Sequence, residues 1–383
     1  MPNLHTIFDT CQPRPDVESG ATKDEQFAAD LARVVLGTAP DEYKVPAIFF
    51  RHTYPTRGLK DLLKAVCQRL SAGGGQVASV IRLHTQFGGG KTHGLIALVH
   101  AVHGMQGVDN VADFVDPTLL PRGKVRVAAL DGENSDPANG LTLEAGLRCY
   151  SLWGELAYRL AGAEGYKRVE ESDRRHVAPG APTIAELFGG EPTLIMLDEV
   201  ALYLRKVEMV HPGASGQFAA FVHALFKAVL SSPNVALVYT LAVGKDDRAT
   251  DAYKEETERA LAAMAEAEKV AARETAQLNP TEEDETADVL RRRLFDRVDL
   301  KAAEETIAAY VELWNNNRDT LPPDATLPGT RDQFRRTYPL HPQTLEMLTE
   351  KTSSLSTFQR TRGMLRLLAR TVHLLWRDHP PDA

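Results

Sequence analysis

The chain has 383 residues, 43% of them hydrophobic and 25% charged, which allows two or three domains with real cores and has the balance of a soluble globular protein. A net charge of −8 excludes a molecule that clamps nucleic acid by overall positive charge. Three cysteines (Cys11, Cys67 and Cys149) without a short paired spacing exclude a disulfide framework and a cysteine zinc cluster, and the histidines form no HExxH.

The apolar runs, such as Ala47–Phe50 and Leu194–Leu197, fall far short of the ~20 residues that span a bilayer. The start, Met1-Pro2-Asn3-Leu4-His5, lacks the features of a signal peptide, so a cytoplasmic location without membrane contact is expected.

Near the N-terminus, Thr22-x-x-Glu25 reads as a capping box opening a helix with Phe27, Leu31 and Val34 on one face, ended by Gly37. A second helix comes after Tyr54-Pro55-Thr56, with Leu59, Leu62, Leu63, Val66 and Leu70 as its apolar stripe. After the glycine break at 73–75, strands and helices alternate. Strand Val77–Leu83 precedes helix Gly94–His103, and strand Val125–Leu130 precedes a helix around Leu143–Leu160. Glu164–Pro182 reads as a polar loop or insertion. Strand Thr193–Leu197, helix Gln217–Leu230 and strand Val235–Ala242 complete the alternation. This order predicts an α/β fold with a parallel sheet.

Beyond Gly244 the character changes. Ala249–Ala276 carries ten alanines with many Glu and Lys and few large apolar side chains, which predicts an exposed helical arm. Helices are then expected over Asp284–Phe295, Ala302–Trp314, His341–Lys351 and Arg362–Trp376. The expected organisation is an N-terminal helical extension (1–75), a core (76–279, with the arm at 249–276) and a helical lid (280–383). Between Gly329 and Arg377 nine Arg or Lys face three acids. That surplus serves either as a phosphate-binding surface for nucleotide or DNA, or as a solvated helix face.

The chemistry concentrates at two places. Thr85-Gln86-Phe87-Gly88-Gly89-Gly90-Lys91-Thr92-His93 lies between a predicted strand and a predicted helix, the context of a P-loop. Backbone N–H groups around Gly88, Gly89 and Gly90 would converge on phosphate, helped by the positive end of the helix after them. Lys91 would reach the β/γ-phosphates of ATP, Thr92 would ligate Mg²⁺, and His93 closes the loop. The first glycine of the usual pattern is replaced by Thr85. The second place is Thr193–Glu199, an apolar strand delivering two carboxylates at its C-terminal end, where ligands bind in parallel sheets. Asp198 is expected to hold Mg²⁺ through water and Glu199 to polarise the attacking water.

Two contiguous acids there, a further strand ending in Thr240 and a helical lid resemble AAA+ ATPases. The resemblance implies a P-loop NTPase core, with Thr240 at the sensor 1 position. Arg362-Gly363-Met364-Leu365-Arg366 looks like the start of a sensor 2 helix, which puts Arg366 near the γ-phosphate, with Arg362 as the alternative. Arg273, in Arg273–Pro280, is the candidate arginine finger, its other reading being a helix-end cation.

Tyr54-Pro55-Thr56-Arg57-Gly58-Leu59, Phe87-Gly88-Gly89-Gly90-Lys91-Thr92-His93 and Phe358-Gln359-Arg360-Thr361-Arg362-Gly363 are similar to phrases in a family of large predicted AAA+ ATPases. These are encoded in prokaryotic defence islands beside DNA methyltransferases and helicases. The members are much longer, so this chain looks like an N-terminal piece or a short relative. The resemblance implies Mg²⁺-dependent ATP hydrolysis that powers or switches a DNA-directed antiphage or restriction-like assembly, as a homo-oligomer or within a multi-subunit complex. The alternatives are a nucleotide-gated scaffold with little turnover and a DNA-translocating motor.

Overall fold

The structure, a computed structural model, describes residues 4–22, 24–27, 29–71, 77–85, 90–144, 146–242, 254–271, 274–350 and 360–379. By packing the chain divides into two units, one of residues 29–51 and 55–281, the other of residues 1–28, 52–54 and 282–383.

The larger unit is built on five parallel strands: β1 (Val80–Thr85), β2 (Arg126–Asp131), β3 (Thr193–Asp198), β4 (Val235–Ala242) and β5 (Thr275–Leu278). Their order in the sheet is β2-β3-β4-β1-β5, with every neighbouring pair parallel. All six residues of β3 are buried. Such a run is what a strand covered on both faces requires. Its side chains alternate between two cores. Ile195 and Leu197 enter one with Leu237, Tyr239, Phe221 and Phe226, whereas Leu194 and Met196 enter the other with Leu83, Ile96, Leu62 and Val238.

Helices Arg57–Leu70 and Lys91–Val102 feed the second core, and helices Leu152–Lys167, Ala181–Phe188, Val200–Val210 and Ala214–Leu230 feed the first. The expected strands of this unit, and the helices expected at Gly94–His103 and Gln217–Leu230, recur with ends shifted by a few residues. The cap of Arg57–Leu70 is Thr56, whose hydroxyl accepts from the Leu59 N–H at 3.2 Å.

That helix is pinned beside the end of β5. The Thr56 hydroxyl donates to the Pro280 carbonyl at 2.5 Å. A Cβ placed on Gly58 would lie 1.7 Å from the Asn279 carbonyl oxygen. Only a glycine admits this approach. Gly58→Ala is therefore expected to destabilise the protein by roughly 1–3 kcal/mol or more, the cost of overpacking. Thermal unfolding measures it, and an unchanged Tm would contradict the close contact.

The structure corrects four expectations. The Ala-rich segment is no exposed arm. Helix Lys254–Val270 buries Ala260, Ala263, Met264 and Ala267 in the first core, and Ala271 comes just after them. These positions recur at helical spacing, and their small side chains let the helix lie close against Val200–Val210 and Ala214–Leu230. Next, the helix expected from Leu143 is preceded by an antiparallel pair, Leu141–Glu144 with Leu147–Cys149. The helix starts at Leu152, where Ser151 caps the Gly154 N–H at 3.2 Å. The buried Asp173 carboxylate accepts from the Ser151 N–H at 2.9 Å and fixes that start. Asp173 itself lies just before the end of helix Glu170–Arg174, within a stretch expected to be loop.

Finally, the first residues do not form one helical extension with 29–75. Thr22 caps no helix carrying Phe27, Leu31 and Val34; Asp30 caps helix Leu31–Val35 by accepting from the Arg33 N–H at 2.9 Å.

The smaller unit is mostly helical: Thr286–Leu294, Leu300–Asn316, Thr330–Thr337, Pro342–Glu350 and Arg360–Asp378. N-terminal strand Cys11–Pro13 pairs antiparallel with Phe295–Val298. Cys11 and Val17 bury against Leu290, Leu294, Leu365 and Leu368. The apolar side chains of the first segment thus find their core among residues nearly three hundred positions later. Among the described residues no helix is long and apolar enough to cross a membrane.

Candidate functional site

Parallel strands deliver their C-terminal ends to one edge of the sheet, and here those ends are polar. In β3 and β2, Asp198 and Asp131 stand opposite each other in register. Thr240, one of the last residues of β4, lies on the other side of β3 and is fully buried at 1% exposure.

The helix after β1 begins at Lys91, with Gly90 as its cap in the left-handed region (φ 80). The positive end of the helix axis therefore opens toward the strand ends. Gly90 is where the glycine-rich loop enters the described residues; Gly88 and Gly89 lie outside them.

The hydroxyls of two threonines meet one carboxylate. Thr92 Oγ1 donates to Asp198 Oδ2 at 2.8 Å, and Thr240 Oγ1 donates to Asp198 Oδ1 at 2.5 Å. Asp198 is itself buried at 3% exposure and Lys91 at 7%. Burial of an ammonium and a carboxylate at one strand edge is costly unless each is compensated. Charges of opposite sign and two hydroxyl donors to the acid supply that compensation.

Glu199 comes directly after Asp198 and turns the chain. It adopts φ 50 and ψ 40, left-handed for a residue with a Cβ, and caps helix Val200–Val210. Such a conformation costs on the order of 1–3 kcal/mol and persists where the surroundings impose it. Burial pushes the Glu199 carboxyl up to about 7; the Asp198 charge adds to this and Lys91 opposes it, with Glu133 and Asp131 pushing further up. A carboxyl with that value is matched to proton transfer near neutral pH.

The end of β2 and the residues after it join this site without having been expected in it. Burial raises the Asp131 carboxyl above its ordinary range, against the hydrogen bonds it accepts from Asn134 Nδ2 at 2.7 Å and the Glu133 N–H at 2.8 Å. The Gly132 N–H donates to the Asp198 carbonyl at 2.9 Å. A signal for it exists in the sequence. An acid ends a buried apolar strand at Asp131 just as at Asp198, but the apolar run by itself stops at Leu130 and leaves the acid outside the expected strand.

The sequence also points to His93, Arg366 and Arg273. The His93 ring stacks on Phe49 with centroids 4.3 Å apart and meets Tyr43 edge-on, on the second-core side of the sheet. Arg366 belongs to the smaller unit, on the exposed side of helix Arg360–Asp378, and Arg362 is half-buried on the same helix. Arg273 lies outside the described residues. Within the basic segment, Glu304 accepts from Arg331 at 2.6 Å and lies 3.8 Å from Arg335, so part of that surplus is met by an acid of the same unit. Exposed pairs of this kind are worth little in stability, but they lower the charge offered to a phosphate.

Oxygen donors dominate the site, a set that suits Mg²⁺. Among the described residues no group of three or more His, Cys, Asp or Glu is placed to hold a metal by itself. Thr92 and Asp198, already within hydrogen-bond reach of each other, fit a Mg²⁺ that takes its remaining ligands from water and phosphate.

The sequence of this chain matches family models in two adjoining stretches. Residues 8–274 match the DUF499 N-terminal domain and residues 281–382 the DUF499 second domain. No curated protein matches it. The first match alone covers more than half of the chain, and a second domain of the same family comes directly after it: the protein belongs to the DUF499 family.

Proposed function

We propose that this protein is a P-loop ATPase of the AAA+ type that hydrolyses ATP with Mg²⁺. The observation that carries the reading is the meeting of the Thr92 and Thr240 hydroxyls on the Asp198 carboxylate, beside the buried Lys91 at a helix N-terminus. A hydroxyl just after a lysine, facing an acid at the end of a parallel strand, is how P-loop ATPases hold Mg²⁺ and the β/γ-phosphates. Lys91 would neutralise phosphate charge, aided by the N–H groups of the first helical turn. Thr92 and Asp198 would hold Mg²⁺, whose charge would offset the negative charge developing on the transferred phosphoryl group.

Glu199 takes the proton of the attacking water. Its carboxyl loses its proton near neutral pH, and a cation arriving beside Asp198 favours the ionised form that a base requires. Thr240 holds Asp198 in place through its hydroxyl, which fits a sensor of the phosphate side of the site. Arg273 and Arg366 stay proposals from the resemblance, as arginine finger and sensor 2. The wider role, driving a DNA-directed defence assembly with methyltransferase or helicase partners, rests on the resemblance alone.

The test is turnover of the purified chain with Mg²⁺ and with chelator, each with and without duplex DNA. Mg²⁺-dependent phosphate release is expected, with Asp198→Asn weakening Mg²⁺-dependent nucleotide binding. Nucleotide binding without turnover would favour the scaffold reading, stimulation by DNA the motor. Absence of both binding and turnover would end the ATPase reading.

A further inference from the structure

We propose that Lys206 and the turn Asp131–Ser135 position Glu199, so that the geometry of the base is set by the neighbouring strand rather than by its own. The inference rests on the hydrolysis reading for its kinetic consequence and on the fold alone for its structural one.

Six hydrogen bonds and one close backbone approach build the device. The Asp131 carboxylate closes the turn on itself through Glu133 N–H and Asn134 Nδ2. The Gly132 N–H holds the Asp198 carbonyl at 2.9 Å, continuing the β2–β3 ladder by one rung past the acids. A Cβ on Gly132 would lie 2.1 Å from the Glu199 carbonyl oxygen and 3.0 Å from the Tyr203 nitrogen, so the turn's backbone rests on the first turn of the helix that Glu199 caps. Farther along that helix, half-buried Lys206 donates through Nζ to the Glu133 carbonyl and to the Ser135 carbonyl at 3.0 Å. Ser135 Oγ donates back to the Gly132 carbonyl at 2.8 Å.

Glu199 is left-handed, and it caps its helix without a side-chain hydrogen bond to the helix backbone. Its conformation is therefore imposed from outside, by a turn pressed onto its carbonyl and fastened by Lys206. The ammonium spans the turn and the helix, so releasing it frees the turn to lift. Glu199 then relaxes toward an ordinary backbone conformation, and its carboxylate leaves the line of the attacking water. Lys206 is a positioning residue: it acts through Glu199 and need not touch nucleotide.

The experiment compares wild type, Lys206→Ala and Lys206→Arg by steady-state ATPase, by nucleotide titration and by crystal structures. In Lys206→Ala, kcat should fall by on the order of 10²-fold, as for a catalytic group misplaced by about 1 Å, while KM and nucleotide affinity stay at wild-type values. Lys206→Arg, whose guanidinium can reach both carbonyls, should restore most of kcat. The alanine variant's structure should show Glu199 outside the left-handed region. Lys206→Met keeps the apolar stem and removes only the donors, and it takes the same measurements if the alanine variant does not fold. Wild-type kcat in a variant that lacks the ammonium would overturn the proposal, as would Glu199 unchanged in its structure. So would a loss of affinity equal to the loss of kcat, the mark of a general structural defect. If wild type itself shows no turnover, the hydrolysis reading fails, and Glu199 φ in the variant's structure alone decides the positioning claim.

Discussion

Glu199→Gln is expected to bind ATP as wild type does and to lose hydrolysis by roughly 10²–10⁴-fold, the contribution of a positioned general base. The amide keeps the volume and removes the proton acceptor. Turnover at the wild-type rate would make Glu199 structural and require another group to orient the water. The raised carboxyl adds two pH effects. As the base must be ionised, kcat/KM of wild type should rise with pH through about 7 and level above it. In the unfolded chain the same carboxyl titrates near 4.5, so between about 4.5 and 7 the folded state holds a proton that the unfolded state has lost. Folding stability therefore falls as pH rises across that window. Glu199→Gln cannot titrate, so its gain in Tm over wild type should be larger at pH 8 than at pH 5. Equal differences at the two pH values would remove burial of this carboxyl as the cause.

Lys91→Ala should raise the Kd for ATP by on the order of 10²-fold or more, since a charge-assisted contact to phosphate is worth about 3 kcal/mol. The structure gives a reason for the size of the effect: Lys91 is 7% exposed, so its charge acts where water screens little. The same position is the first of helix Lys91–Val102, where backbone N–H groups remain to accept an anion. Titration with a fluorescent ATP analogue measures the change. Unchanged affinity would refute the phosphate-binding role of the loop. The two substitutions separate the steps, one removing binding and the other chemistry.

Part of this architecture is written locally along the chain. Apolar runs of strand length, separated by helical periodicity, require burial on both faces, so the parallel sheet is legible in Val80–Leu83, Thr193–Leu197 and Val235–Ala242. Lys91, Thr92, Asp198 and Glu199 are legible because their spacing relative to those strands is short and their residue types are restricted by charge. Thr56 is legible as a helix boundary for the same reason, since a cap acts within three residues.

What only the tertiary structure decided is whatever depends on residues distant in sequence. Asp131 joins the site because β2 lies beside β3 in register, and strand neighbours are not encoded by any local period. Thr240 meets Asp198 because β4 is inserted between β1 and β3. The Ala-rich helix 254–270 reads as exposed because small side chains are only weakly apolar. Packed against two helices, the same smallness permits close approach and burial. The first residues read as one extension with 29–75, yet Cys11–Pro13 completes its backbone hydrogen bonds only against Phe295–Val298. Sequence by itself determined the composition of the site's polar edge and the class of sheet that carries it. The fold decided which strand ends stand side by side, and with them the left-handed setting of Glu199, because pairing across the chain depends on the summed packing of both faces rather than on any single segment.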